Sequence, residues 1–318
     1  MNGRQENDLK IEKKTLEILK GTYSILTDYF YSLIDKTPAT KIKYIQRNKI
    51  FLDFIQYDNN PDKFKELKVS DINRYMEHTR YGSKGEKTVS ARAGILFAVR
   101  NFFDFLETEG YIDNNICKKV KPPKITEEKD IVYMTKEEIL EVENNIKKWS
   151  NIKWKNRDML LFILGCTTGL RVSSIQEINI SDIDLEENKI TVTEKGNKTR
   201  SCFIGEKTKE YLVKWLKDRK SILLNRDENA LFISTRKQRI STNGIRKLIS
   251  LYTSTLDKKI TPDKMRSTCA TTLYEATGDI NMVKDMLGHK NIANTMKYAS
   301  MSDQKRIEAT NIMNQIIG

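Results

Sequence analysis

Four short stretches in the second half of the chain carry residue types suited to a phosphate group. They are Thr168-Gly169-Leu170-Arg171-Val172-Ser173, Glu194-Lys195-Gly196-Asn197-Lys198, Thr261-Pro262-Asp263-Lys264-Met265-Arg266, and Leu287-Gly288-His289 followed by Tyr298. Breaking a phosphodiester without a metal needs a nucleophile, cations for the non-bridging oxygens and an acid for the leaving oxygen. Arginine's planar fork spans two phosphate oxygens and stays charged, so Arg171 and Arg266 fit a clamp. Arg171 also follows a glycine turn, where a helix N-terminus favours an anion. Lys195 precedes a Gly-Asn pair in a hairpin turn, with Lys198 as a neighbouring alternative, and His289 can hydrogen-bond a phosphate oxygen. A free tyrosine, with a pKa of about 10, attacks poorly at neutral pH unless cations favour its phenolate. Taken singly, each residue has a plainer reading: a surface arginine, a turn lysine, a structural histidine, or one of thirteen tyrosines at a core rim.

The set is more specific than its parts. The gaps are 24 residues from Arg171 to Lys195, 23 from Arg266 to His289 and nine from His289 to Tyr298. In order and spacing the chain resembles the tyrosine recombinase (phage integrase) family, with the layout of its two-domain Xer-type members. The resemblance spans about residues 20–315. It implies that Arg171 and Arg266 clamp the scissile phosphate, that His289 bonds one of its oxygens and that Lys195 protonates the leaving 5′-oxygen. Tyr298 would be the nucleophile, forming a 3′-phosphotyrosine that religates without ATP. The implied activity is site-specific recombination of double-stranded DNA through a Holliday junction, by a homotetramer on two duplexes. No cofactor or metal is implied, and accessory DNA-bending or directionality proteins are compatible with it.

Two positions depart from the family pattern. Asp263 stands where a histidine is usual, and Ser174, three residues after the first arginine, where a glutamate is usual. A carboxylate at ~5 Å from the phosphoryl group, at an effective dielectric of ~20, costs roughly 3 kcal/mol, about a hundredfold in rate. Three roles for Asp263 compete: general base for Tyr298, a hold on Arg171 or Arg266 that replaces the carboxylate lost at Ser174, or the mark of an impaired site. The second is preferred. The third would make the chain a catalytically weak DNA-binding or architectural protein; a type IB topoisomerase-like enzyme is the other alternative, disfavoured by the two-domain layout.

These residues need elements to hold them. Pro122 and Pro123 in a charged stretch cannot continue a helix, which divides the chain into 1–120, a linker at 121–130, and 131–318. Upstream, apolar spacings predict helices over 23–34, 39–55 and 87–109, the second with Ile42, Ile45, Ile50, Leu52 and Phe54 and the last with Ile95, Phe97 and Val99. Ser70-Asp71 predicts a cap for another helix to about 79. Downstream, Thr135 with Glu138 predicts a capping box, 158–168 a buried helix, and 189–193 with 200–204 a hairpin. Helices follow over 206–220, 241–255, 262–276, 280–287 and 303–317. The expected fold is mainly α with a small antiparallel sheet: an N-terminal helical core-binding (SAM-like) domain and an α+β catalytic domain. Ile307, Ile312, Ile316 and Ile317 give the last helix an apolar side, which either packs on its own domain or docks into a neighbouring protomer.

Composition narrows the class. The 318 residues carry 56 Lys+Arg against 43 Asp+Glu, a net charge of +13. The excess is spread, with 24 basic against 19 acidic side chains over 1–129 and 32 against 24 over 130–318. A polyanion held by both domains suits that, because each neutralised phosphate releases counterions. No apolar run reaches the ~18–20 residues of a membrane span, and the first twenty residues lack a signal-peptide core; the expectation is a cytoplasmic protein without an arm-binding domain. Cys117, Cys166, Cys202 and Cys269 are too far apart for a zinc motif and are expected reduced, near the core. Lysines outnumber arginines 40 to 16, which fits an AT-rich genome or mobile element.

Overall fold

Aromatic and aliphatic side chains at three- and four-residue spacings hold the first part of the chain together. The computed structural model describes residues 3–83, 85–124, 131–194, 198–224, 228–299, 310, 311, 313–315 and 317, and divides into two units, Met1–Lys129 and Asp130–Gly318. The first contains α1 (Gly3–Lys20), α2 (Ser24–Ser32), α3 (Pro38–Phe54), α4 (Lys63–Glu66), α5 (Val69–His78), a small antiparallel pair β1 (Tyr81–Gly82) and β2 (Gly85–Glu86), and α6 (Val89–Thr108). Its core is rich in rings. Phe51 meets Tyr75 edge-on at 5.0 Å and Tyr29 meets Phe102 at 5.1 Å, the geometry that ring quadrupoles favour. Two polar side chains in this core are hydrogen-bonded, as burial favours: Tyr29 donates to Asn101 Oδ1 at 2.7 Å and Asn48 Nδ2 to the Ala98 carbonyl at 3.3 Å.

Three details differ from the sequence reading. A helix, α1 (Gly3–Lys20), precedes the first one expected at 23; it packs on α3 and buries Thr15 and Leu19. Asp71 sits in the third helical position rather than at the cap, where its carboxylate accepts from the Lys68 N–H at 2.8 Å. Ile50 and Phe97, both expected inward, are 51% and 60% exposed. The helical stripe is narrower than the apolar count suggested.

The second unit holds α7 (Lys136–Trp149), α8 (Lys155–Thr168), α9 (Val172–Glu177), β3 (Ile183–Asp184), β4 (Lys189–Glu194), β5 (Lys198–Phe203), α10 (Glu206–Leu223), α11 (Thr242–Tyr252), α12 (Pro262–Thr277), α13 (Ile280–Leu287) and α14 (Ala293–Met296). A 3-10 turn, Lys297–Ala299, follows. The capping box forms as its spacing requires: Glu138 N–H donates to Thr135 Oγ1 at 3.3 Å and Thr135 N–H to Glu138 Oε2 at 2.7 Å. Central α8 is buried through Leu160, Leu161, Phe162, Ile163 and Leu164 and packs against α7, α10 and α12. Near its start Asp158 accepts from Arg157 Nε (2.8 Å), Ser150 Oγ (2.8 Å) and Tyr252 Oη (2.6 Å), so a buried carboxylate is fully partnered.

The antiparallel sheet runs β3-β4-β5, with β3 an addition to the expected hairpin. Ile190 faces Cys202 and Glu194 faces Lys198 across β4 and β5; Ile190, Val192 and Cys202 are buried. All four cysteines are free thiols, and Cys117, Cys202 and Cys269 are buried. The fold is mainly α with small antiparallel sheets. No helix among the described residues is long and apolar enough to cross a membrane. Part of the expected linker, 125–130, lies outside the described residues, as do Ile307, Ile312 and Ile316 of the expected last helix; residues 310, 311, 313–315 and 317 are helical, with Ile317 exposed.

Candidate active site

Two glycine turns bring the site together. Helix α8 stops at Gly169, whose φ of +59° is left-handed and so favours glycine. A Cβ there would lie 2.6 Å from Leu287 Cδ2, so the close approach of this turn to the end of α13 also depends on glycine. The chain then buries Leu170 and presents Arg171 as the N-cap residue of α9. In the same way α13 stops at Gly288, φ +65°, whose N–H bonds the Asp285 carbonyl at 3.1 Å while that of His289 bonds Lys284 at 3.0 Å. His289 is the next residue out.

Arg266, on α12, ties the two turns together. Its Nη1 donates to the Gly169 carbonyl at 2.6 Å and its Nη2 to the Leu287 carbonyl at 2.7 Å. Helix α12 starts with Pro262 in its first turn and ends at Gly278, and buries Met265, Arg266 and Cys269. Burial, then repulsion from Arg171, pushes the Arg266 pKa down to about 10. It is still a cation at neutral pH, held rigidly and short of counter-charge.

Among the described residues, one carboxylate is ion-paired with this cluster. Glu194 Oε2 lies 3.7 Å from Arg171 Nη1, and Oε1 accepts from Arg200 Nε at 3.0 Å. The Gly288 turn is pressed against this pair: a Cβ on Gly288 would sit 3.1 Å from both Glu194 oxygens and from Arg200 Nε. Arg171 remains 39% exposed, open to an incoming anion. His289 is partly buried, with Nδ1 2.8 Å from the Thr295 hydroxyl. Burial first, then Arg266, Arg171 and Lys297, pushes its pKa down to about 4, so the ring is neutral at pH 7. Tyr298 is 5% exposed and packs with Ala270, Val283 and Leu287; the Lys297 ammonium lies 4.9 Å from its ring centre.

The structure thus brings Arg171, Arg266 and His289 around two adjoining turns, with the Tyr298 turn packed on α12. Lys195 lies outside the described residues; β4 and β5 run to either side of it. Asp263 requires a correction. Expected to hold an arginine, it is exposed on the first turn of α12 and makes no ion pair among the described residues. The first turn of α12 directs its acidic side chain outward, while Glu194 already occupies the space beside Arg171. Ser174 is buried on α9. Glu194, Arg200, Thr295 and Lys297 escaped the sequence reading. Glu194 and Lys297 carried a usable signal, their places next to Lys195 and Tyr298; Arg200 and Thr295 meet the site through folding.

The sequence profile of the phage integrase family matches residues 132–305, more than half of the chain. The chain belongs to the phage integrase (tyrosine recombinase) family. It is 30% identical over 259 residues to the tyrosine recombinase XerC of Caldanaerobacter subterraneus subsp. tengcongensis, covering 80% of this chain and 70% of that protein. It is 27% identical over 272 residues to the XerC of Escherichia coli O127:H6, covering 84% and 87%. The family fold recurs in the XerH site-specific recombinase bound to palindromic difH substrate in a post-cleavage complex, with a TM-score of 0.72, 20% identity, and 91% and 84% of the two chains covered. A lambda integrase (75-356) dimer bound to a COC′ core site gives a TM-score of 0.68 at 20% identity, covering 87% and 94%.

Proposed function

We propose that this family member is a site-specific DNA recombinase that cuts and rejoins strands through a 3′-phosphotyrosine at Tyr298. The observation that carries the reading is Arg266, whose guanidinium fastens both turns that present Arg171 and His289. A phosphate entering this cluster meets fixed cations, which stabilise developing charge without reorganising at the moment of reaction. Arg171 and Arg266 take the non-bridging oxygens. His289 adds a hydrogen bond in the tautomer in which the Thr295 hydroxyl donates to Nδ1 and leaves the hydrogen on Nε2.

Tyr298 Oη gives up its proton to solvent, bonds to the scissile phosphorus and displaces the 5′-oxygen, and Lys195 is the proposed donor of the proton that this leaving oxygen takes up. The phosphotyrosine keeps the bond energy, so a 5′-hydroxyl from another strand can displace Tyr298 without ATP. Repeating the exchange on the second strand passes through a Holliday junction. Tyr298 is covered in the free chain, so its turn must move once DNA is seated.

The net positive charge of both parts of the chain supports double-stranded DNA as the partner, as do relatives described on DNA. On this reading the protein works in the cytoplasm as a homotetramer on two duplexes, in a mobile element, with accessory DNA-bending or directionality proteins where the target requires them. The lysine-rich composition is the support for the element.

The test uses a randomised library of nicked duplexes that trap cleavage, without metal or ATP, followed by denaturation. Wild type is expected to carry covalent DNA and Tyr298→Phe none. DNA binding without adducts would favour a catalytically weak architectural protein.

A further inference from the structure

We infer that Glu194 is a positioning residue for Arg171, supplying from β4 the carboxylate that the family pattern places at position 174 on α9. The inference rests on the recombinase reading above, and deepens it. Ser174 is buried where α9 packs against β4, and a hydroxyl there brings no charge to an arginine. Glu194 ends β4 and reaches the same cluster from the other side. It stands between two guanidiniums, 3.7 Å from Arg171 Nη1 and 3.0 Å from Arg200 Nε. The glycine at 288 leaves it room, since a Cβ there would meet both carboxylate oxygens at 3.1 Å.

Charge makes the arrangement necessary. Arg171, Arg200 and Arg266 stand together, and Arg200 Nη2 is buried with no partner among the described residues. Glu194 is the one ion-pair partner of Arg171 among the described residues. Without it, a long and 39% exposed side chain would feel only the repulsion of the neighbouring guanidiniums and would be expected to swing away from them. Asp263 makes no such pair. The site has kept the carboxylate and changed the element that carries it.

The experiment moves the carboxylate back. Adduct formation on the nicked duplexes is timed for wild type, Glu194→Gly and the double variant Glu194→Gly with Ser174→Glu, with DNA affinity measured alongside. Glu194→Gly is expected to slow the step by about 10- to 100-fold, the effect of a misplaced catalytic group, with binding changed less than the rate. The double variant is expected to recover most of it. A Glu194→Gly rate at or above wild type, or a double variant no faster than the single, overturns the proposal.

Arginine side-chain ¹⁵N spectra give a second readout that needs no cleavage. The Arg171 Nε signal, assigned with Arg171→Lys, is expected to move towards free arginine in Glu194→Gly and to return in the double variant. A signal that does not move overturns the proposal even if the protein cuts DNA. A signal that responds in a protein whose wild type forms no adduct supports the positioning and overturns the recombinase reading instead. If Glu194→Gly does not fold, Glu194→Gln, of similar shape and uncharged, takes its place in both measurements with the same directions expected.

Discussion

Arg266 and Gly169 are 97 residues apart in the chain and share a 2.6 Å hydrogen bond from guanidinium to carbonyl. The other arm of the same guanidinium holds the Leu287 carbonyl at 2.7 Å. Helix ends leave carbonyls without intrahelical partners; here two of them, on different helices, are satisfied by one side chain. The group that fits phosphate recognition is therefore also the fastener of the site.

Lysine at 266 keeps the charge and loses the fork. Arg266→Lys is expected to destabilise the chain by about 2–3 kcal/mol, since buried carbonyls lose charge-assisted bonds, and to slow adduct formation more than a hundredfold. A urea melt and the adduct rate check the two effects separately. Retained stability would mean that the turns hold without the fastener.

Glycine is required at 169 for two reasons and at 278 for one. Both have left-handed φ, +59° and +67°, but a Cβ at 169 would meet Leu287 Cδ2 at 2.6 Å while at 278 it would meet nothing within 4 Å. Gly278→Ala is expected to cost about 1 kcal/mol from the backbone alone. Gly169→Ala is expected to cost clearly more, about 2–4 kcal/mol with the added crowding. Equal losses in melting experiments would refute the close approach of the two turns.

The folded His289 ring has its pKa lowered, from 6.5 to about 4. Between these values the unfolded chain binds more protons, so His289's contribution to stability is fully present above about pH 6.5 and is lost as pH falls towards 4. Stability measured from pH 7 down to 4.5 is expected to fall more steeply for wild type than for His289→Gln. With only two histidines in the chain, NMR can follow the ring directly. A phosphate bound among Arg171, Arg266 and His289 should raise its pKa, and a value unchanged by DNA would place the phosphate elsewhere.

Asp263 is exposed and unpaired with either arginine. Asp263→Ala is expected to change stability by less than about 0.5 kcal/mol and to leave cleavage close to the wild-type rate, because this exposed carboxylate pairs with neither arginine of the clamp. A tenfold loss of cleavage with intact folding would return to Asp263 the role of general base.

Much of this was legible in sequence because the site depends on turn chemistry and on charge. Gly169 and Gly288 mark the ends of α8 and α13, and the residue types that follow them are those a phosphate calls for. The capping box at Thr135 and the strands flanking Lys195 follow from local rules in the same way. The counter-charge was not legible. Glu194 and Asp263 are both acids close in sequence to a candidate residue, and only the packing of α9, β4 and the Gly288 turn decides which one meets Arg171. Helix α1 escaped because its many charges leave a thin apolar stripe that acquires meaning only against α3.

The most direct test of the central claim is to locate the covalent bond. Protein trapped on nicked DNA would be digested with nuclease and trypsin, and the nucleotide-bearing peptide identified by mass spectrometry. A single modified peptide with the nucleotide 3′-phosphate on Tyr298, absent from Tyr298→Phe, is the predicted result. A modified residue other than Tyr298, or adducts that persist in Tyr298→Phe, would contradict the account.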